Sequence, residues 1–188
     1  MASFTRKAIM ASLIKLLNEK PLSKITVKEI VDDCGINRNS FYYHFQDIPS
    51  LVVEMLQEET DRLIQGSGKN ESFEECLMEA IEFALNNRQA ALNLYNSGNR
   101  EAYQHYVNRI VCHIVRKYLE KAKEGIPVKS EDLDLMVDFY KNILVGIIID
   151  WMNDGMSHDI MKPASRLIYL YEGSLRRAFL RSAGLEES

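Results

Sequence analysis

Apolar residues recur at intervals of three and four positions along nearly the whole chain, and this period constrains the fold more than any other feature. Such spacing puts apolar side chains on one face of an α-helix, whereas the alternation typical of a half-buried strand is absent from the sequence. Glycine, proline and capping residues divide the periodic stretches into about nine segments. The sequence therefore predicts an all-α protein of about nine helices.

Local signals at the ends of these segments give approximate helix bounds. Thr26 with Glu29 forms a capping box for the second helix, Ser72 with Glu75 does the same for the fifth, and Gly35 suits a left-handed turn at the end of the second. The predicted helices cover about 5–18, 27–33, 38–45, 47–64, 72–86, a short stretch ending near 96, 100–123, 130–153 and 162–182.

Charge is distributed unevenly along the chain. The formal net charge of all 188 residues is −4. Residues 1–50 carry seven lysines and arginines against five acidic residues, a net charge of +2, which leaves −6 for the remainder. A mildly basic N-terminal segment on an acidic body suggests that only this segment faces phosphate groups.

Cysteine usage and hydropathy argue against a disulfide-rich, a zinc-binding or a membrane-spanning protein. Cys34, Cys76 and Cys112 lie about 40 residues apart without a CxxC pair, which suits neither a disulfide framework nor a zinc site, so we expect buried free thiols. The longest apolar run, residues 143–149, is too short for a bilayer that needs about 20 residues. Because the polar N-terminal start does not resemble an export signal, we expect a cytoplasmic protein.

The stretch from Ile25 to Phe45 is the most informative part of the chain. It reads as two short helices joined by a tight turn at Gly35. Its apolar residues are spaced to pack the two helices together and onto the first helix; they are Ile30, Val31, Cys34, Ile36, Phe41 and Phe45. This is the pattern of a helix-turn-helix, whose second helix enters the major groove of DNA. The alternative is a structural helix pair with no role on DNA.

The second helix of this pair carries a dense run of hydrogen-bonding side chains. Arginine can hold guanine, and asparagine adenine, through two hydrogen bonds, while tyrosine and serine hydroxyls suit phosphate oxygens. The residues of this run are Asn37, Arg38, Asn39, Ser40, Tyr42, Tyr43 and His44. Helix N-termini at Val27, Arg38 and Ile48 could also direct amides at the DNA backbone.

The same stretch resembles the DNA-binding domain of the TetR family of transcription regulators. In that family a Thr-capped helix and a Gly turn precede a short helix that ends in an aromatic run, here Phe41-Tyr42-Tyr43-His44-Phe45. The resemblance covers about residues 5–55. It implies base contacts from Lys28, Arg38, Asn39, Ser40 and Tyr43, and phosphate contacts from Thr26, Tyr42 and His44, although Tyr43 could instead lie along the backbone.

The chain departs from the family pattern directly after the aromatic run. The family usually carries a phosphate-contacting lysine there, whereas this chain has Gln46-Asp47-Ile48-Pro49. The contact is therefore either missing or replaced by helix-end amides. Lower affinity, or dependence on a partner, is the expected consequence.

A second resemblance lies in the C-terminal half. Tyr140, Gly146, Trp151 and Gly155-Met156 resemble the pattern of a C-terminal domain common among TetR-like regulators of Gram-positive bacteria. Some of that group resemble activators of dihydroxyacetone kinase genes. The pattern indicates a subgroup of the family.

The segment 132–153 is apolar around most of its predicted helix, so the helix must be buried on most sides. Either it is the centre of a monomeric core, or one face meets another subunit. Operators with two-fold symmetry are read by dimers. The TetR resemblance implies that the last two helices form the dimer interface. We expect a homodimer whose interface includes Ile143, Ile147, Leu167, Leu170, Tyr171, Ser174, Leu175 and Ala178.

Apolar and aromatic side chains of the C-terminal half could line a pocket for a small apolar or aromatic effector. The candidates are Phe83, Leu94, Tyr95, Tyr103, Tyr106, Met136, Tyr140 and Trp151, and the alternative for each is an ordinary place in the core. We expect neither a metal nor another cofactor. His105 and His113 share a predicted helix face but lie two turns apart, too far to chelate one ion unaided.

These features together predict a transcription regulator that is not an enzyme. Residues 1–50 would form the helix-turn-helix domain, 47–65 a connecting helix, and 66–188 a regulatory and dimerisation domain. A homodimer would bind a palindromic operator in double-stranded DNA, with repression as the default and activation equally compatible. The alternative is an interaction protein or co-activator whose C-terminal domain binds a protein rather than a small molecule.

Overall fold

The computed structural model describes residues 2–66, 73–170 and 173–185, and these residues form helices without any strand. The helices are α1 (Ala2–Glu19), α2 (Val27–Cys34), α3 (Arg38–His44), α4 (Ile48–Gly66), α5 (Phe73–Asn86), α6 (Arg88–Tyr95), α7 (Arg100–Ala122), α8 (Ser130–Asn153), α9 (Met161–Leu170) and α10 (Ser174–Ser182). The all-α prediction is confirmed. Within the described ranges no helix is long and apolar enough to cross a membrane.

The prediction of one final helix over 162–182 is wrong, because α9 and α10 are separate. Gly173 precedes α10 with a φ of 82°, in the left-handed region. A left-handed residue interrupts a right-handed helix, and glycine adopts that conformation without steric cost. The described part of the chain therefore holds ten α-helices rather than nine. The predicted Ser72–Glu75 capping box lies outside the described residues.

The chain divides into two compact units, which differ from the predicted domains. The first unit comprises residues 1–69 and 78–107, and the second comprises residues 70–77 and 108–188. The first unit thus contains α6 and the beginning of α7 together with α1 to α4. The predicted division into residues 1–50 and 66–188 stays a prediction.

The first unit is organised around α1. Ile9, Leu13 and Leu17 are fully buried and form the apolar face predicted for this helix. α1 packs against α2 and, most extensively, against α6. Full burial of one such side chain contributes about 1.5–3 kcal/mol, so this face alone is a large part of what holds the unit together.

The predicted core of the helix-turn-helix is largely confirmed. Ile30, Val31, Phe41 and Phe45 are buried. Cys34 and Ile36 are only half-buried, because they flank Gly35, the exposed turn residue with a φ of 66°. Within the described residues Cys34 and Cys112 are free thiols, but both are half-buried, which corrects the prediction of buried thiols. The side chain of Cys76 lies outside the described part.

The second unit has its own core, to which α7, α8 and α10 contribute. Val115, Leu119, Val137 and Phe179 are buried there. Trp151, Gly155 and Met156 of the C-terminal pattern lie at the end of α8 and in the turn that follows it. The indole N–H of Trp151 donates to the carbonyl of His158 at 2.8 Å, and the amide of Met156 donates to the carbonyl of Trp151 at 2.8 Å. Gly155 and Met156 both have positive φ, and Met156 is buried.

Candidate nucleic-acid interface

Side-chain caps define the two helices on either side of the turn. The hydroxyl of Thr26 accepts from the amide of Glu29 at 3.3 Å, while the Glu29 carboxylate accepts from the amide of Thr26 at 3.0 Å. The predicted capping box is therefore present. At the start of α3, the side-chain oxygen of Asn37 accepts from the amide of Ser40 at 2.9 Å. These bonds fix where α2 and α3 begin, and with them which side chains α3 presents.

α3 is buried on one face and exposed on the other. Phe41 is fully buried, and the ring of Phe45, which follows the helix, is buried 5.9 Å away. On the opposite face Tyr43 is 80% exposed and Tyr42 is 56% exposed. The remaining candidates for DNA contact are also accessible: Thr26, Lys28, Asn37, Arg38 and Asn39 are exposed, and Ser40 and His44 are half-buried.

Ion pairs within the first unit neutralise several of its charges. Lys20 pairs with Glu29, and Lys15 pairs with Asp33. The hydrogen bond from Lys20, with those from Thr26, holds the pKa of Glu29 below its usual value, and Lys15 lowers the pKa of Asp33. The carboxylates of Glu29 and Asp33 therefore stay charged at neutral pH, each beside a cation. The positive charge that α2 and α3 offer to DNA comes from other residues, Lys28 and Arg38.

An arginine that the sequence analysis only counted as a charge ties three elements together. One guanidinium nitrogen of Arg6 lies 2.6 Å from the carboxylate of Glu54, and another lies 2.6 Å from that of Glu58. The guanidinium also stacks over the ring of Phe45, 4.9 Å from its centroid. Glu54 and Glu58 are one helical turn apart, the spacing that puts two side chains on one face. Arg6 thereby joins α1, the end of α3 and α4.

The start of α4 bears on the two possibilities that the absent lysine leaves open, a missing phosphate contact or its replacement by helix-end amides. The carboxylate of Asp47 accepts from the amide of Ser50 at 2.7 Å, and the amide of Asp47 donates to the hydroxyl of Ser50 at 3.0 Å. Pro49 has no N–H group. Only the Ile48 amide remains in this turn, beside a carboxylate that repels phosphate. The geometry thus favours loss of the contact over its replacement by helix-end amides.

Five of the candidate effector residues lie in the first unit, and three of them, all tyrosines, have neighbouring rings. Leu94, Tyr95 and Tyr103 are buried, and the centroids of the Tyr95 and Tyr103 rings are 6.3 Å apart. Tyr106 is half-buried with its ring centroid 5.6 Å from that of Tyr103. Burial raises the pKa of both Tyr103 and Tyr106, so both phenols are neutral at physiological pH. The half-buried ring of Phe83 lies under the guanidinium of Arg62 from α4, at 5.7 Å.

The other three effector candidates belong to the second unit. Trp151 is buried and its N–H is satisfied, whereas Tyr140 is half-buried beside Phe139. Met136 is half-buried and lines a surface groove of about 610 Å³ between α8 and α10. The groove is also lined by Asp132, Leu135, Ser174, Arg177, Ala178, Arg181 and Ser182. Two residues predicted for the dimer interface, Ser174 and Ala178, are among them.

The other predicted interface residues vary in exposure. Ile143 and Leu170 are exposed, at 41% and 58%, and Ile147 and Leu175 are half-buried. Tyr171 and the side chain of Leu167 lie outside the described residues. The predicted interface did not include Leu135 and Phe139, which are 68% and 60% exposed on α8. The sequence does show that Leu135, Phe139 and Ile143 are spaced four residues apart and therefore share one face of the helix.

Comparison with known proteins finds matches in both halves of the chain. A family model described as "Bacterial regulatory proteins, tetR family" matches residues 9–55. A second model, described as "Transcriptional regulator C-terminal region", matches residues 71–173, more than half of the chain. An uncharacterized HTH-type transcriptional regulator of Haemophilus influenzae is 38% identical over 55 residues, 29% of this chain. The matched stretch spans 27% of that relative's length.

Two solved structures share the fold over nearly the whole chain. The dihydroxyacetone kinase operon activator DhaS superposes with a TM-score of 0.73 at 14% identity and covers 98% of both chains. NemR of E. coli in its reduced form gives a TM-score of 0.52 at 17% identity, with 96% of both chains covered. Identities this low establish a common fold and no more.

We predict that Gln46→Lys strengthens binding to DNA of any sequence. Gln46 is exposed beside α3, so the substitution returns a cation to the segment that lost one without disturbing a contact of the core. One added phosphate contact steepens the slope of log K against log salt by about 0.9. Fluorescence anisotropy with a random-sequence duplex between about 50 and 200 mM salt measures this slope.

The matched control for this prediction is Gln57→Lys, which adds the same charge at an exposed position further along α4. We expect it to leave the slope nearly unchanged. An equal change in both variants would mean that overall charge, and not a phosphate contact beside α3, had been altered.

Proposed function

This chain belongs to the TetR family of bacterial regulatory proteins, and from that premise we propose that it acts as a homodimer whose two α3 helices read a palindromic operator. The family assignment makes it a transcription regulator with an N-terminal DNA-binding domain and a C-terminal regulatory domain. Members of the family are DNA-binding regulators rather than enzymes. The operator contacts, the dimer and the effector are the parts that we propose.

One observation carries the proposed operator contacts. The buried rings of Phe41 and Phe45 anchor α3, so that the side chains on its other face project together. Arg38, Asn39 and Tyr43 are all exposed there. A guanidinium and an amide on one short helix match the acceptor and donor edges of guanine and adenine in the major groove. We assign Thr26, Tyr42 and His44 to phosphate contacts, since hydroxyl and imidazole groups suit phosphate oxygens.

Selection of binding sites from random duplex DNA tests this assignment. We expect the wild-type protein to enrich a palindromic site, and Arg38→Ala and Tyr43→Ala each to lose the preference for the base that the missing side chain reads. Loss of a bidentate base contact costs about 1–3 kcal/mol and relaxes the preference at one position of each half-site. The protein must first be shown to be folded by circular dichroism.

The contrasting variant is Tyr42→Phe, which removes a hydroxyl assigned to phosphate. It should weaken binding to all sequences alike and leave the enriched site unchanged. An Arg38→Ala protein that selects the same site with the same preference would contradict the assignment of α3 as the reading helix.

An exposed apolar stripe on α8 supports the proposed dimer. Leu135, Phe139 and Ile143 are spaced four residues apart and all are exposed. A contiguous apolar surface of this kind marks a site of association. The first turn of α8 is acidic, with Glu131 and Asp132. In α10 the arginines at 176, 177 and 181 are exposed, so a second copy can match both the apolar stripe and the opposite charges.

We predict that Phe139→Glu converts the dimer into a monomer. The substitution places a charge in the centre of the stripe, where association would have to desolvate it. Sedimentation velocity measures the mass, and binding to a single half-site measures whether the monomer is still folded and competent. Leu85→Glu, at an exposed leucine of α5, is the control and should leave the mass unchanged. A Phe139→Glu protein that sediments as a dimer would remove α8 from the proposed interface.

We also propose that a small neutral aromatic effector binds among Tyr95, Tyr103 and Tyr106. Tyr103 is buried, Tyr106 is half-buried, and the hydroxyl of Tyr95 accepts a hydrogen bond from Arg100. Apolar rings beside a few polar groups are a typical composition for a ligand site. Arg62 and Glu59 of α4 lie close enough to Tyr106 to act on its pKa. A ligand that separates these rings would therefore bias α4, with a coupling of about 1–3 kcal/mol. Repression is the default expectation for the sign of regulation.

Thermal unfolding with a panel of neutral aromatic compounds tests the effector site. A true ligand at 100 times its Kd stabilises the folded state by about 2.7 kcal/mol. We expect Tyr103→Leu to abolish the stabilisation and Tyr118→Leu, at a more exposed tyrosine of the same helix, to retain it. A compound that stabilises both variants equally would place its site elsewhere.

A further inference from the structure

Two asparagines join the end of α1 to α6. The side-chain oxygen of Asn18 accepts from the amide of Ala90 at 3.1 Å. The side-chain amide of Asn93 donates to the carbonyl of Leu17 at 2.8 Å. Each asparagine thus bonds to the main chain of the other helix. We refer to Asn18 and Asn93 as the asparagine clamp.

Asn18 caps the N-terminus of α6 from another helix, a role that normally belongs to the N-cap residue of the helix itself. The third amide of a helix is usually satisfied by the side chain of the N-cap residue. The N-cap residue of α6 is Asn87, whose side chain makes no such bond and instead donates to the carbonyl of Phe83 at 3.1 Å. The third amide of α6 belongs to Ala90, and Asn18 of α1 supplies its acceptor.

Asn93 satisfies a carbonyl that α1 cannot satisfy itself. In a continuing helix the carbonyl of Leu17 would accept from the amide of residue 21, but residue 21 is Pro21 and has no N–H. The amide of Lys20 already donates to Leu16. Leu17 is fully buried and Ala90 is 4% exposed, so water is a poor substitute at either group. The caps are therefore reciprocal, and removal of either asparagine side chain would leave a buried main-chain group unsatisfied.

We propose that the asparagine clamp is a positioning device: it fixes the DNA-reading head to α6, from which the chain continues through α7 into the second unit, and it thereby limits the half-site spacings that the proposed dimer accepts. α2 packs on α1, and Arg6 joins α1 to α4, so whatever holds α1 also holds α3. This inference rests on the proposed dimeric reading of DNA. In this proposal neither asparagine contacts DNA. Both act by holding α1, and through α1 the helix α3, in position.

Binding to duplexes of varied half-site spacing tests the clamp. The wild-type protein is compared on its selected palindrome and on versions with one or two base pairs added to or removed from the centre. We expect wild type to reject the altered spacings. Asn18→Ala and Asn93→Ala should bind the selected spacing about two- to tenfold more weakly, as for one lost hydrogen bond. They should, however, bind the altered spacings nearly as well as the selected one.

The conservative variant separates positioning from general destabilisation. Asn18→Asp keeps an oxygen that accepts from Ala90 but loses the donation of the Asn18 side-chain amide to the carbonyl of Ile14 at 3.1 Å. It should retain the spacing preference and slow hydrogen exchange of the Ala90 amide even where the free energy of unfolding falls. In Asn18→Ala that amide should exchange faster. Asn86→Ala, at an exposed asparagine of α5, is the control for both measurements.

The outcomes are distinguishable. Relaxed spacing in both alanine variants, with Asn18→Asp like wild type, supports the inference. Unchanged spacing preference in folded Asn18→Ala and Asn93→Ala overturns the inference alone and leaves the proposed function standing. A wild-type protein that selects no spaced pair of half-sites overturns the proposed function and this inference with it.

Discussion

Burial of one face of α1 is the interaction on which the first unit depends. Ile9, Leu13 and Leu17 are removed completely from water, and α2 and α6 both pack against this helix. α3 has no comparable support of its own, because a helix of seven residues is marginal in water without tertiary packing. The reading helix therefore keeps its orientation only while α1 keeps its position. Polar contacts at both ends of α1, through Arg6 and Asn18, then determine what that position is.

Much of the first unit was predictable because its signals are local. A capping box needs Thr26 and Glu29 three residues apart, and a left-handed turn needs Gly35 at the end of α2, so both are readable from a few positions. The contacts of Arg6 with Glu54, and of Asn93 with Leu17, join residues 48 and 76 positions apart. No periodicity encodes such partners. They depend on how the helices cross, and only the folded chain brings them together.

The C-terminal half shows a different limit of sequence patterns. Gly173 was visible as a glycine, but the apolar period continues on both sides of it, so the pattern predicted one helix where α9 and α10 are separate. The sequence shows that α8 is apolar around most of its circumference, but this pattern does not tell which of its residues are buried and which are exposed. Val137 is buried and Phe139 is 60% exposed, although both are apolar and only two residues apart. Which of the two is buried depends on how α8 is rotated about its own axis, and amino-acid composition carries no information on that rotation.

The distribution of charge bears on how this protein distinguishes DNA sequences. The net charge of +2 on residues 1–50 overstates the attraction to phosphate, because it counts Arg6 but not Glu54 and Glu58, the two carboxylates that pair with this arginine. Asp47 adds a negative charge to the segment in which the family pattern has a lysine. Phosphate contacts supply most non-specific affinity, whereas base contacts supply discrimination. With few cations offered to phosphate, the first unit is expected to bind random DNA weakly, so binding of the proposed dimer to an operator would depend more on base contacts and on simultaneous engagement of two half-sites. Accurate spacing of its two α3 helices would then be a requirement for binding, since electrostatic attraction alone would not hold one α3 on DNA when the other is misplaced.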